Sequence, residues 1–164
     1  LPKKVVLDAD ALTCFASAPE QLFELTSSDT VLTPHDGEFN RLFPNFSGGD
    51  KITRTRMAAQ LSGAVIVYKG SDTIIADPEG SVVINSNAPA TLASAGTGDV
   101  LSGIIAGFLA QGCSAFDASC IGVWCHGLAA TKLGAGLISS DLVRYISEVK
   151  NYIYTKKLNI KYHL

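Results

Sequence analysis

A carboxylate sits in a run of small residues, Ala95-Gly96-Thr97-Gly98-Asp99, just before an apolar segment from Val100 to Ala110. A glycine-rich turn feeding a helix N-terminus is an anion site. Its first-turn N–H groups lack intrahelical partners, and the helix dipole favours negative charge there. Asp99 in that turn has two readings: a helix-capping aspartate, or a carboxylate set beside a phosphate cradle. Three other groups bear on the choice. Asp8-Ala9-Asp10 follows the strand-like run from Lys4 to Leu7. Pro34-His35-Asp36-Gly37-Glu38 follows Thr30 to Thr33, and Lys69-Gly70-Ser71-Asp72-Thr73 follows Ala64 to Tyr68. In α/β sheets ligands gather outside the carboxyl ends of the strands, which is where all three lie. Each also has a plainer reading: a solvated turn or N-cap for the two aspartates, a structural histidine for His35, and a hairpin turn for Lys69 to Thr73.

The elements that must position these residues follow from periodicity. Pro19 to Leu25 reads as a short helix with proline in its first turn, Glu38 to Phe43 as an amphipathic segment, and Lys51 to Ser62 as a helix. Ala64 to Tyr68 is continuously apolar, as in a strand buried on both faces. Thr73 to Asp77 and Ser81 to Asn85, joined by Pro78-Glu79-Gly80, form a β-hairpin. In the segment after Asp99, Leu101, Ile104, Ile105 and Phe108 make one large apolar helical face. Gly103, Ala106, Gly107 and Ala110 make a second face of very small residues. A helix apolar on both faces is expected to be buried, with another backbone against its small face. Ala115 to Leu133 is a second mostly apolar helix, ended by Gly134 to Gly136. Ser140 is expected to cap a last amphipathic helix from Asp141 to about Lys157, with Ile153 among its apolar residues. Leu158 to Leu164 carries no readable signal. The order implies an α/β fold of one domain, residues 1–164, with right-handed crossovers and helices covering the sheet.

Composition narrows the function classes. The chain has 164 residues, 47% hydrophobic and 17% charged, with a net charge of −2. That fits a soluble α/β protein and argues for neither nucleic acid nor a membrane surface. The apolar run after Asp99 is too short to span a bilayer. Cys14, Cys113, Cys120 and Cys125 form no CxxC pair and are expected to be buried free thiols in a reducing compartment, which points to the cytoplasm. The N-terminus has neither a signal-peptide pattern nor an initiator methionine. Three parallel strands and a hairpin make a thin sheet for so many apolar helices. Together these imply that the natural domain begins further upstream.

Two standard nucleotide motifs are excluded. No GxxxxGK run followed by Ser or Thr exists. Gly96-Thr97-Gly98-Asp99-Val100-Leu101 lacks the third glycine of a dinucleotide fingerprint and comes late in the chain. A phosphate cradle beside a carboxylate suits transfer of a phosphoryl group to a substrate hydroxyl. The helix amides hold charge developing on the phosphoryl oxygens, and the carboxylate takes the hydroxyl proton. Asp99, the only acid in the cradle, would be the base.

AGTGDVLSGIIAGFLAQG from Ala95 resembles the signature of the ribokinase-like superfamily. With Thr33-Pro-His-Asp-Gly-Glu38, Leu7-Asp-Ala-Asp-Ala-Leu12 and Lys69-Gly-Ser-Asp-Thr73, the chain is similar in particular to the ADP/ATP-dependent NAD(P)H-hydrate dehydratases, from about Leu7 to about Val149. The resemblance implies a ribokinase-like three-layer α/β/α fold with a mostly parallel sheet and an antiparallel hairpin, its N-terminal part missing here. It implies repair of (S)-NAD(P)H hydrate: ADP or ATP, with Mg²⁺, phosphorylates the C6 hydroxyl, and phosphate then leaves. It implies Asp99 as the base and a substrate contact, and His35 as a second substrate contact. Lys69, Gly70, Ser71, Asp72, Thr73 and Gly98 would bind the nucleotide, and Glu38 would stand where related kinases keep an acid near the metal. Family members commonly form homotetramers. The alternatives are a ribokinase-like kinase of a small alcohol and a non-catalytic nucleotide-binding fragment.

Overall fold

The computed structural model describes residues 3–46 and 48–161, without the side chains of residues 150 and 153–161. Five strands form one sheet in the order β1 (Val5–Leu7), β2 (Thr30–Leu32), β3 (Val65–Tyr68), β4 (Thr73–Ala76) and β5 (Val82–Asn85). The pairs β1–β2 and β2–β3 are parallel, and β3–β4 and β4–β5 antiparallel. Four of the five strands therefore point the same way, with β4 reversed. The hairpin turn works as its residues predict. Gly80, at φ 98°, supplies the left-handed residue, and Asp77 Oδ1 accepts the Ser81 N–H at 2.8 Å.

Strand alternation divides the apolar residues between two layers. On one face Leu32, Ile66, Tyr68 and Ala76 pack with α1 (Asp10–Thr13), α2 (Pro19–Phe23), α3 (Asp36–Leu42) and α4 (Lys51–Ser62). On the other, Val31, Val65, Val67 and Ile75 pack with α5 (Thr97–Ala110) and α6 (Ala115–Leu133). The last helix, α7 (Ser139–Lys161), closes a third apolar cluster against α6 through Leu142 and Val149. This is the three-layer α/β/α arrangement, with β2 and β3 fully buried, as the unbroken apolar run of β3 requires.

Several expectations are corrected. The small face of α5 is not covered: Gly103, Ala106, Gly107 and Ala110 are exposed, and no described atom lies within 4 Å of a Cβ built at Gly103 or Gly107. The close backbone approach occurs on the opposite side, where a Cβ at Gly122 of α6 would sit 2.7 Å from Ile105 Cγ1. Spacing shows that a face is small but not which neighbour it meets. Ser140 lies inside α7 rather than capping it. Asp141 Oδ2 instead accepts the N–H of Ile138 at 3.1 Å, just ahead of the helix. The four cysteines are free, but only Cys125 is buried and Cys14 is exposed. The side chain of Ile153 and residues 162–164 lie outside the described residues. Among the described residues no helix is long and apolar enough to cross a membrane.

Candidate active site

The carboxyl ends of β1, β2 and β3 and the N-terminus of α5 meet at one place, and a polar network runs through it. Gly96, left-handed at φ 79°, turns the chain into α5. The turn is held by Thr97 Oγ1, which lies 2.7 Å from the Leu92 carbonyl oxygen and 2.8 Å from that of Ser94. Gly98 and Asp99 thus fall in the first helical turn, where backbone N–H groups are free of helical partners. Asp99 is exposed, and no hydrogen bond or ion pair with another described residue holds its carboxylate. It lies inside the helix rather than at the N-cap, so the capping reading fails and an accessible carboxylate beside the cradle remains.

Lys69, just past β3, reaches into the same place. Its Nζ lies 2.7 Å from Asp8 Oδ1 and 3.9 Å from Glu38 Oε2. A Cβ built on Gly98 would lie 3.6 Å from Lys69 Nζ and 3.8 Å from Asp8 Oδ2, so the ammonium borders the cradle. Ser102, one turn further along α5, brings its hydroxyl within 2.7 Å of Asp8 Oδ2. Burial raises the Asp8 carboxyl pKa, but hydrogen bonds from Lys69 and Ser102 outweigh it and hold the acid below its ordinary value.

His35 and Glu38 join the network from α3. They form a capping box: the Glu38 N–H donates to His35 Nδ1 at 3.2 Å, and the His35 N–H donates to Glu38 Oε2 at 2.8 Å. His35 therefore has a structural task, yet its side chain is 57% exposed, with Nε2 3.5 Å from Glu38 Oε1. The Glu38 carboxylate is only 7% exposed and is engaged by His35 and Lys69. His35, Lys69 and Gly98 are thus brought together through Glu38 and Asp8, and Asp99 follows Gly98 in the chain, bordering the groove along Gly103 and Gly107.

The rest of the Lys69–Thr73 turn divides. Asp72 is drawn toward α4, where Lys51 Nζ donates to its backbone oxygen at 2.6 Å and lies 3.1 Å from Oδ1, which lowers the Asp72 pKa. Thr73 is buried, with Oγ1 donating to the Gly70 carbonyl at 3.2 Å. Gly70 and Ser71 stay exposed at the rim, and Gly70 leaves room for Lys51, whose Nζ would lie 2.5 Å from a Cβ there.

Sequence reasoning missed Ser102, Lys51 and the Tyr68–Asp36 pair. Tyr68 donates its hydroxyl to Asp36 and stacks on Phe39 at 4.1 Å, and burial followed by the Asp36 bond pushes its pKa up to about 12. The i, i+4 step from Gly98 to Ser102 was a usable signal; the other contacts cross between elements and leave none. His126, in α6, is also unanticipated. It is buried, its Nε2 has no partner among the described residues, and burial lowers its pKa to about 4 against an opposing bond to the Thr97 backbone.

A metal fits this site only in part. Asp8 and Glu38 offer the oxygen donors Mg²⁺ prefers, but both are already engaged, and no group of three potential ligands occurs among the described residues.

Comparison with known proteins gives the arrangement its context. The chain is 36% identical over 161 residues to the ADP-dependent (S)-NAD(P)H-hydrate dehydratase of Neisseria meningitidis serogroup B, covering 92% of this chain and 54% of that protein. It is 46% identical over 131 residues to the bifunctional NAD(P)H-hydrate repair enzyme Nnr of Thermosynechococcus vestitus, covering 78% of this chain and 25% of that one. The ADP/ATP-dependent NAD(P)H-hydrate dehydratase of Bacillus subtilis, co-crystallized with ATP/Mg²⁺, superposes with a TM-score of 0.72 at 27% identity, covering 90% of this chain and 54% of that one. A ribokinase-like superfamily protein of Enterococcus faecalis gives 0.76 at 26% identity, covering 90% and 52%. The chain spans about half the length of the Neisseria protein and of these two structures. The family profile described as NAD(P)H-hydrate dehydratase matches residues 1–151. With that match over most of its length, laid on a ribokinase-like sheet whose strand ends converge on the Gly98–Asp99 turn, the chain belongs to the NAD(P)H-hydrate dehydratase family.

Proposed function

We propose that this chain carries the nucleotide side and the proton-accepting carboxylate of a nucleotide-dependent (S)-NAD(P)H-hydrate dehydratase. The observation that carries the reading is the Lys69 ammonium set against Gly98 in the first turn of α5, with the exposed Asp99 next in the chain. The names of the Neisseria and Bacillus relatives point to ADP or ATP as co-substrate. Magnesium, when bound, would neutralise charge on the nucleotide phosphates.

In this reading the α5 amides and Lys69 hold the phosphoryl oxygens, with Ser71 and Gly70 at the nucleotide rim. Asp99 accepts the proton of the C6 hydroxyl as that oxygen attacks the terminal phosphorus, and the nucleotide leaves one phosphate shorter. Expulsion of phosphate from the ester and loss of the neighbouring ring proton restore the dihydronicotinamide. The exposed His35 side chain is the substrate-side contact. Asp72 and Thr73 shape the turn more than they reach the ligand. We propose a homotetramer and a cytoplasmic location on family grounds.

The test is recovery of dihydronicotinamide absorbance when purified protein meets hydrated NADH with ADP or ATP and Mg²⁺. No recovery with either nucleotide would overturn the reading. A stable phosphorylated alcohol as end product would instead support a small-alcohol kinase.

A further inference from the structure

Building on the nucleotide reading above, we propose that Asp8 is a positioning residue that holds the Lys69 ammonium against the Gly98 turn. Lys69 stands between two carboxylates, 2.7 Å from Asp8 Oδ1 and 3.9 Å from Glu38 Oε2. Without the Asp8 charge, attraction to Glu38 is unopposed, and the ammonium moves toward α3, away from the cradle. Asp8 is itself fixed from the cradle side. Ser102 Oγ lies 2.7 Å from Asp8 Oδ2 and 3.1 Å from the Gly98 carbonyl oxygen, so the hydroxyl ties the aspartate to the turn that carries the amides.

The backbone supplies a separate observation. Ala9, directly after Asp8, has φ 50° and ψ −120°, the one positive φ outside glycine among the described residues. An alanine there is strained, and such strain persists only where surrounding contacts over-determine it. The Asp8 contacts to Lys69 and Ser102 stand directly beside it, together with the backbone bonds that Asp8 and Ala9 accept from Ala11, Leu12 and Thr13. A solvated strand-end turn would require neither the strain nor the pairing.

Calorimetric titration with ADP and with adenosine, in Mg²⁺, isolates the phosphate-dependent part of affinity. Asp8→Asn is expected to lower the ADP-to-adenosine affinity ratio about tenfold, as is Lys69→Met, with no further loss when the two are combined. A structural role would lower the melting temperature but leave the ratio unchanged. Additive losses, or an unchanged or raised ratio in Asp8→Asn, would overturn the proposal. If Asp8→Asn does not fold, Ser102→Ala carries the test. It should lower the ratio on the native background and have no effect on the Lys69→Met background; any other pattern overturns the proposal. Native protein that binds ADP no more tightly than adenosine removes the nucleotide reading, and the proposal with it. A native preference that Asp8→Asn leaves intact removes the proposal alone.

Discussion

Asp99 and His126 have opposite exposures. Asp99 faces outward without a partner, the state a general base needs before substrate arrives. Asp99→Asn should lower turnover by about a hundredfold or more while leaving nucleotide affinity within about threefold. Equal loss of both in a kinetic and calorimetric comparison would contradict the assignment. His126 is buried and neutral under Thr97. Its folded pKa of about 4 lies below the unfolded value of 6.5, so between those values the unfolded chain binds a proton that the folded chain does not. Stability is therefore full above about pH 6.5 and falls as the pH drops toward 4, by roughly 3 kcal/mol over the window. Melting temperatures across this range should show the decline, and His126→Gln should flatten it.

At the scale of elements, glycines mark where helices and loops meet, and the structure separates tight positions from open ones. A Cβ at Gly127 of α6 would lie 2.0 Å from Asn87 Oδ1 and 2.9 Å from the Asn87 backbone oxygen. That glycine lets the loop after β5 lie on α6, where Asn87 Nδ2 also donates to the Trp124 carbonyl at 3.0 Å. Gly127→Ala should destabilise by about 1–3 kcal/mol, because the loop backbone must shift. Gly103 has open space at the same construction, so Gly103→Ala should stabilise α5 by about 0.5–1 kcal/mol through helix propensity. Denaturant midpoints of the two variants should move in opposite directions. A loss for Gly103→Ala would mean that its face is covered in solution. Helix identities were legible where apolar spacing repeats, as in α5 and α7, and where terminators are clear, such as left-handed Gly63 after α4. The four-residue α1 was not, since so short a helix carries no period.

Across the whole molecule, β2 and β3 form the meeting plane of the two apolar layers, buried on both faces and bonded on both edges. Their amides should exchange slowest with solvent, while β5, with Val83 and Ile84 exposed, should exchange much faster. Hydrogen exchange read by mass spectrometry checks this order, and equal protection of β5 would indicate a covered edge. The sheet carries the site as well, because three of its parallel strands end on one side and deliver Asp8, His35 and Lys69 to the N-terminus of α5.

Local sequence determined which residue types stand at strand ends, that a glycine turn precedes an apolar helix, and that a hairpin follows β3. Each of these rests on neighbours within a few positions, where backbone sterics and side-chain period act directly. Tertiary structure alone decided that Lys69 turns inward to Asp8 while Asp72 turns away to Lys51. It also decided that Ser102, beside Gly98, bonds an aspartate 94 residues before it, and that the small face of α5 stays open. Those outcomes depend on distances between elements far apart in the chain. Such distances are set by how two apolar layers pack on a common sheet, and no local pattern encodes them.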